Sequence, residues 1–306
     1  MQYLLRIRLP LVLMLALGLS GCLFRTHYIT PRESNAVLQT ATPEQLIARV
    51  HEQAGKIRTL NATVDIASSV GGIKKGKVTE YQEIRGYILV RQPAMLRMIG
   101  LLPVIRNRAF DMVSAGEQFR LWIPPTNKFY VGSNDMVPPG TTGLAALRPQ
   151  AIYEALLLND IDSRDEIAVI ENGIERVTDT KKHIEVDEPD YRVDIIRHGA
   201  QGWYLARKIR FSRVDLQPAR ETVFGLDGSI ISENRYDKWK QYGEVWFPSV
   251  IQIWRPGEEY EITIGIVKLV INDQLTDDQF ALEQPPGAQV IHLDSAPVTA
   301  AGGRPK

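Results

Sequence analysis

The stretch "EYEITIGIVKLVIN", residues 259–272, has the alternation of a β-strand together with one change of step. Its first apolar set occupies every second position: Tyr260, Ile262, Ile264 and Ile266. Next to Gly265 the apolar set moves by one position, to Val267, Leu269 and Ile271. A shift of one residue beside a glycine is typical of a bulge or bend, with which a curved sheet turns a corner. The stretch therefore predicts a strand of a curved sheet.

Alternating patterns recur over most of the chain before this stretch. They include "NATVDIAS", "EYQEIRGYILVRQP", "RAFDMV", "KFYVG", "DYRVDIIRHG" and "VWFPSVIQIWRP". One helical segment, "GLAALRPQAIYEALLLND", interrupts them, and its main part is expected to begin at Pro149. Consecutive strands at short spacing predict antiparallel pairing, and a sheet of ten or more strands has to curl, close or split. The predicted fold class is α+β, with a curved antiparallel sheet and two main helices.

A first helix is predicted from residue 43. Thr42 is a suitable N-cap, Pro43 suits the first helical position, and Gln45 completes a capping box. Apolar residues then recur at helical spacing: Leu46, Ile47, Val50, Ala54, Ile57 and Leu60. The pattern indicates an amphipathic helix that precedes the first strand.

The start of the chain has the parts of an export signal. Arg6 and Arg8 precede an apolar run, which ends in the small-residue site "LSGC", residues 19–22. The run is shorter than the roughly 20 apolar residues of a membrane-spanning helix. "LSGC" resembles the bacterial lipobox, which implies diacylglycerol on the Cys22 sulfur, cleavage before Cys22 and acylation of its new amino group. In the alternative interpretation, Cys22 is incidental to an ordinary signal peptide or anchor.

These patterns divide the chain into four regions. Residues 1–21 are predicted to be a lipoprotein signal peptide and residues 22–41 a lipidated tether. Residues 42–283 are predicted to form one domain. Residues 284–306 are rich in Pro, Gly and Ala, which favours a flexible C-terminal tail.

The composition argues against several classes of function. The formal net charge is +0 at pH 7, so no global field attracts nucleic acid, and no nucleic-acid partner is expected. Cys22 is the single cysteine, and its lipidation leaves no thiol for a disulfide or a metal site. The five histidines lack metal-ligand spacing, and no nucleophile-elbow, dinucleotide or P-loop motif occurs. We expect no metal, no cofactor other than the covalent lipid, no catalytic residue and no enzymatic activity.

The order of elements resembles the LolA/LolB-like superfamily of periplasmic lipoprotein carriers and outer-membrane lipoprotein receptors. The local similarities are "QFRLWIPPTNKFYVG", "LRPQAIYEAL", "GEVWFPSVIQI" and "LVINDQLTDDQFALEQPPGAQVI". The resemblance covers roughly residues 43–291 and implies a half-open β-barrel, with helices as a lid over an apolar cavity that takes acyl chains. It also implies an outer-membrane lipoprotein that faces the periplasm. Leu23 favours this placement, because Asp at that position marks inner-membrane retention in enteric bacteria.

The segment "GLLPVIRN", residues 100–107, is unusually apolar for a connection between strands. Its apolar residues are Leu101, Leu102, Val104 and Ile105. LolB-type receptors have an apolar protruding loop that helps to deliver lipoprotein, so the resemblance implies a cargo-binding or membrane-delivery loop here. In the alternative interpretation, these residues continue a strand and pack in the core, with Pro103 at a sheet edge.

Two sets of strand residues have alternative interpretations. Tryptophans in strands are core residues by default, and Trp122 and Trp254 are also candidates for lining the cavity. Basic residues alternate with apolar ones in one strand pattern, which favours the outer face of that strand: Arg207, Lys208, Arg210 and Arg213.

Two functions remain open from the sequence. In the first, an anchored half-barrel binds acyl chains or lipoprotein cargo, accepts it from a soluble periplasmic carrier and assists delivery to the membrane. In the second, a membrane-anchored envelope scaffold or regulatory module engages a protein partner without lipid transfer.

Overall fold

A computed structural model of the chain describes residues 36–73, 76–134, 148–179 and 184–293. The helices are α1 (Pro43–Lys56) and α2 (Pro149–Leu156), with short 3-10 helices at Pro124–Thr126 and Asp277–Phe280. The strands are β1 (Thr59–Gly72), β2 (Lys77–Arg91), β3 (Met95–Leu101), β4 (Arg108–Ala115), β5 (Gln118–Ile123), β6 (Lys128–Ser133), β7 (Glu166–Asp179), β8 (Ile184–Gly199), β9 (Gly202–Ser212), β10 (Pro218–Phe224), β11 (Ile230–Tyr242), β12 (Val245–Arg255), β13 (Tyr260–Ile271) and β14 (Gln289–His292).

All these strands belong to one curved sheet, in the order β14-β6-β5-β4-β3-β2-β1-β13-β12-β11-β10-β9-β8-β7. Within the described part of the chain, the sheet is unclosed, because β14 and β7 stand at its two edges. The pairing between β6 and β14 is parallel, whereas β1 pairs antiparallel with both β2 and β13. The predicted curved antiparallel sheet with two main helices is therefore confirmed for these residues.

The described residues divide into two compact units. The smaller contains the described residues of 175–188, where Arg176 Nε and Asp187 Oδ1 form an ion pair at 3.1 Å. The larger contains α1, α2 and the remainder of the sheet. All sites described below lie in the larger unit.

The change of step in β13 is a bulge. On the neighbouring strand β1, Thr63 pairs with Lys268 and Val64 pairs with Ile266, so Val267 is the extra residue. Val267 is exposed, whereas Ile264 is fully buried. The bulge predicted from the opening stretch is therefore present. It lies two residues after Gly265, between the two apolar sets of β13.

Helix α1 begins where the sequence predicts. The Thr42 hydroxyl accepts a hydrogen bond from the Gln45 backbone N–H at 3.3 Å, and the Gln45 side chain accepts one from the Thr42 N–H at 2.8 Å. Leu46 and Val50 are buried in a cluster with residues of β8 and β9. The capping box thus sets the start of α1, and its apolar stripe attaches α1 to the sheet.

The main core lies on one face of the sheet, which we call the inner face. Helix α2 contributes Ile152 and Leu156 to this core, and it contacts β3, β4 and β12. Met98 and Met112 are among the fully buried members. Helix α2 therefore packs on the inner face of the sheet.

The C-terminal segment covers part of the opposite, outer face. Leu275, Phe280 and Leu282 pack with Val113 and Phe129. The sequence predicts a flexible tail from residue 284, whereas Gln289–His292 form β14 and pair with β6. The difference has a physical reason, since the exposed edge of β6 offers backbone hydrogen bonds that an added strand satisfies. Residues 294–306 of the predicted tail lie outside the described residues.

Candidate apolar binding site

An apolar pocket of about 270 Å³ opens at the end of the sheet where β3 passes into β4. Its apolar wall consists of Ile66, Ile84, Met98, Leu102, Pro103, Ala109, Phe110 and Ile262. Ser68, Tyr81 and Gln82 supply its polar groups. Among the described residues that line the pocket, none is charged. The pocket suits an aliphatic ligand, because pockets of this kind bind through apolar burial and use few polar groups.

A glycine in β3 shapes this wall. A Cβ atom at Gly100 would stand 2.4 Å from Phe110 Cε1 and 2.7 Å from Ile84 Cδ1. Real Cβ atoms do not approach other atoms so closely, so both side chains occupy their positions because residue 100 has no side chain. The local sequence therefore permits two large side chains to meet at the pocket.

The apolar segment after β3 forms an exposed turn, residues 102–107. Leu102 N–H donates to Asn107 O at 2.7 Å, and Arg106 N–H donates to Leu102 O at 3.0 Å. Val104 is 97 % exposed and has φ 70°, a conformation that costs energy for a β-branched residue. Of the two interpretations left by the sequence, the structure has the exposed connection, and β3 ends at Leu101.

The turn and the pocket share residues. Leu102 and Pro103 belong to the pocket wall, whereas Val104 and Ile105 are exposed immediately beyond it. Leu101 ends β3 and is only partly buried. The apolar character of the segment is thus divided between the pocket and the solvent.

Neither candidate tryptophan lines this pocket. Phe119 and Leu121 face the core, so alternation turns Trp122 to the outer face, where it packs against the cluster under the C-terminal segment. Ile253 faces the core, so Trp254 likewise faces outward, where it is exposed beside Glu233, Arg235, Gln252 and Glu261. The cavity-lining prediction for Trp122 and Trp254 is corrected by the period of two in β5 and β12.

One predicted outer-face arginine lies in the interior. The Arg207 side chain is 4 % exposed, because it has the same parity along β9 as the buried Ile209 and Phe211. Its Nη1 donates to Asn159 O at 2.9 Å, and its Nη2 donates to Asp160 O at 2.8 Å. Arg207 thus connects β9 to the segment between α2 and β7, and the outer-face prediction is wrong for this residue.

Two buried carboxylates surround Arg207. Its guanidinium lies 3.3 Å from Glu166 and 3.4 Å from Glu221. Asn234 and Tyr236 donate to Glu221 Oε2, each at 3.3 Å. Burial raises the pKa of Glu221, and burial together with the nearby Glu221 charge raises the pKa of Tyr236 well above its usual value. We call Arg207, Glu166, Glu221, Asn234 and Tyr236 the buried polar cluster.

A second, polar groove of about 780 Å³ runs along α1. Arg49, Glu52 and Lys56 line it from the helix, and Asp215 and Trp246 are among the residues of its other wall. Its walls hold charges of both signs. The groove therefore suits a polar macromolecular surface better than an acyl chain.

Several predicted features lie outside the described residues, among them Cys22 and the signal peptide. Among the residues that the structure does describe, none of the helices is both long and apolar enough to cross a bilayer. In the same ranges, no three His, Cys, Asp or Glu residues come together as a metal site.

Three solved structures show what the chain resembles. A DUF1329 family protein from Desulfovibrio piger is 15% identical and has a TM-score of 0.50, with 77% of this chain and 94% of that chain covered. A LolA superfamily protein from Nitrosomonas europaea is 12% identical, with a TM-score of 0.47, 79% of this chain and 99% of that chain covered. A domain named for outer membrane lipoprotein sorting, from Vibrio parahaemolyticus, is 10% identical, with a TM-score of 0.48, 77% of this chain and 94% of that chain covered.

These comparisons concern the fold alone, because all the identities are below 25%. Of the three, the DUF1329 family protein is the one whose TM-score of 0.50 supports a likeness of fold. No family model matches the sequence, and no curated protein matches it.

Proposed function

We propose that the chain is an outer-membrane-anchored lipoprotein that binds acyl chains or lipoprotein cargo and assists their delivery to the membrane. The observation that carries this proposal is the contact between an apolar pocket and an exposed apolar turn. Leu102 and Pro103 belong to both, and Val104 extends the apolar surface into solvent. An acyl chain can therefore pass from the pocket to the turn along Leu102 and Pro103.

Burial of methylene groups supplies the affinity. Each CH₂ removed from water contributes about 0.8 kcal/mol, so a few methylenes at the pocket suffice for reversible binding. No covalent step and no cofactor are needed, and we assign no catalytic residue. The proposal takes the lipid on Cys22 as the membrane anchor and a soluble periplasmic carrier as the source of cargo.

Helix α2 is the proposed lid. It lies on the inner face and is short, with Ile152 and Leu156 buried against the sheet. Outward movement of α2 would expose the neighbouring apolar surface of β3 and β4 to a longer chain. We thus expect a larger cavity to form when cargo displaces α2, with the present pocket as one part of it.

The test is uptake of a fluorescent fatty acid by chains expressed without residues 1–22. Ala109→Phe places a ring in the pocket, and Ala67→Phe places the same ring on the opposite face of β1. We expect binding by the wild type and by Ala67→Phe. Ala109→Phe should bind about tenfold more weakly, which is about 1.4 kcal/mol. Equal binding by both variants would overturn the pocket as the site.

The polar groove along α1 supports a second candidate, a regulatory module that binds a protein partner. Arg49, Glu52 and Trp246 would provide the contact. A pull-down should then recover one defined protein, lose it with Trp246→Ala and retain it with Ala109→Phe. Loss of the partner with Ala109→Phe alone would instead assign that contact to the pocket.

A further inference from the structure

Several large apolar residues are exposed at one end of the strands, and Trp246 and Val214 are exposed at the other end. Because neighbouring strands from β4 to β1 and from β13 to β8 are antiparallel, five connections lie at the same end: β1–β2, β3–β4, β8–β9, β10–β11 and β12–β13. We call this the loop end. The turn 102–107 and the pocket opening are located there. The β9–β10 connection, residues 213–217, lies at the opposite end, which we call the tether end.

Two neighbouring hairpins at the loop end present an apolar surface. Trp203 on β9 is 57 % exposed, and Leu226 in the β10–β11 turn is 63 % exposed. Ile231 on β11 is also exposed. We call Trp203, Leu226 and Ile231 the hairpin patch. None of these residues belongs to the pocket or to the turn 102–107.

Neighbouring residues contact the apolar side chains at both hairpin tips. His198 and Trp203 make an edge contact, with ring centroids 4.9 Å apart. A Cβ at the adjacent Gly199 would stand 3.2 Å from the Tyr204 ring and 3.6 Å from Leu226 Cδ2, so Leu226 lies against the β8–β9 hairpin. The tips of the two hairpins are therefore neighbours, with Trp203 on one face of the β8–β9 hairpin and Leu226 beside the other.

The chemistry of these tips fits the interfacial zone of a bilayer. Tryptophan is enriched at membrane–water interfaces, where its ring is buried and its N–H stays hydrated. Asp227, in the same turn as Leu226, accepts hydrogen bonds from Ser229 N–H at 3.0 Å and Ser229 Oγ at 2.6 Å. An internally bonded carboxylate at the tip is compatible with the headgroup level and not with deep insertion.

The chain before the described domain starts at the tether end. Gln39 N–H donates to Arg213 O at 2.6 Å, and Gln39 Nε2 donates to Val214 O at 2.9 Å. The chain from Cys22 to Gln39 spans about 58 Å when fully extended, at about 3.4 Å per residue. Strand β9, from Gly202 to Ser212, spans about 33 Å. A lipid on Cys22 can therefore remain in the bilayer while the loop end faces that bilayer.

We infer that the hairpin patch is a second membrane contact, which acts with the turn 102–107 to hold the loop end against the bilayer surface. This inference rests on the proposed function in that it takes Cys22 as the anchor. Two separated contacts fix the orientation of the domain, whereas one turn alone would let it rotate. The pocket opening is then held toward the lipid.

The test uses the full lipidated chain in vesicles of phosphatidylethanolamine and phosphatidylglycerol. A nitroxide label is attached through Leu226→Cys, Val104→Cys or, as the control at the tether end, Val214→Cys. Cys22 is the single natural cysteine and is blocked by its lipid, so each label reports one site. Collisions with oxygen and with a water-soluble nickel chelate measure immersion.

We expect the oxygen-to-nickel collision ratio at residues 226 and 104 to exceed that at residue 214 several-fold, with immersion to about 5–10 Å. If residue 104 is immersed in the bilayer while residue 226 stays in water, the inference is overturned. The turn 102–107 would then be the single membrane contact at the loop end. Immersion at residue 214 would overturn it as well. Unchanged thermal unfolding of each variant excludes misfolding as the cause.

Two further experiments test the hairpin patch separately from the lipid anchor on Cys22. Deletion of residues 25–34 shortens the longest reach of the tether to about 24 Å, so residue 226 should return to water. Continued immersion would contradict the geometry. If the wild type takes up label, Cys22 is unmodified and the anchor proposal fails. Cys22→Ser chains mixed with vesicles then decide the inference, which stands if residue 226 is immersed and falls if it is not.

Discussion

Replacement of Arg207 by methionine would remove the charge at the centre of the buried polar cluster while keeping a long apolar side chain. The guanidinium lies 3.3 Å from Glu166 and 3.4 Å from Glu221. It also donates to the carbonyl oxygens of Asn159 and Asp160. The variant therefore leaves two buried carboxylates without this cation and frees the segment between α2 and β7.

The expected loss of stability is large. Removal of one partner of a buried ion pair costs about 3–5 kcal/mol, because the other charge stays buried. A domain of this size loses about 2–4 °C in Tm per kcal/mol, so we expect a decrease of about 6–20 °C. Arg164→Met is the matched control, since Arg164 pairs with Asp162 at 2.6 Å on the surface, where pairs contribute about 0–1 kcal/mol.

The pH dependence of the loss has a definite sign. Burial already raises the pKa of Glu221, and Arg207 opposes that rise. Without Arg207 the pKa of Glu221 rises further. A raised pKa in the folded state favours the protonated form, so stability is present at low pH and lost as the pH rises through that pKa. Arg207→Met should therefore lose more stability at neutral than at mildly acidic pH.

Urea unfolding at neutral and at mildly acidic pH measures the loss of stability. The double variant Arg207→Met and Glu221→Gln separates the contribution of the Glu221 charge from the rest. The double variant should recover part of the stability at neutral pH, because no charge remains at residue 221. A loss below about 1 kcal/mol for Arg207→Met would refute the role of the ion pairs. The same loss at both pH values would refute the assignment to Glu221.

Two further substitutions test the pocket wall and the C-terminal segment. Gly100→Ala should cost about 1–3 kcal/mol in urea unfolding through overpacking and should weaken fatty-acid binding, because the new methyl group displaces Phe110 into the pocket. Full binding at wild-type stability would contradict the close approach. Arg97→Met should cost about 3–5 kcal/mol and speed proteolysis of the C-terminal segment, because Arg97 pairs with the buried Asp111 at 2.9 Å and donates to Gln279 O at 2.9 Å. Unchanged proteolysis would show that this hydrogen bond does not hold the segment.

Features that depend on local sequence were predictable. Thr42 and Gln45 form their capping box within one turn of chain, and the bulge at Val267 follows from a period of two that fails once. Such signals need no knowledge of distant contacts. The start of α1 at Pro43 and the curved sheet could therefore be predicted from the sequence alone.

Features that depend on strand register could not be predicted from the sequence. Trp122 and Trp254 alternate with core residues, and only the register shows which parity faces inward. The parity of Arg207 with Ile209 and Phe211 was a signal of burial, but it opposed the usual exposure of arginine. The pocket wall joins five strands, and its members carry no common motif.

The most direct measurement is an electron-density map of crystals grown with a long-chain fatty acid. The account predicts continuous aliphatic density between Ile84, Met98 and Phe110, with one end near the turn 102–107. Density confined to the polar groove along α1, or an empty pocket in crystals that contain the bound fatty acid elsewhere, would contradict the account.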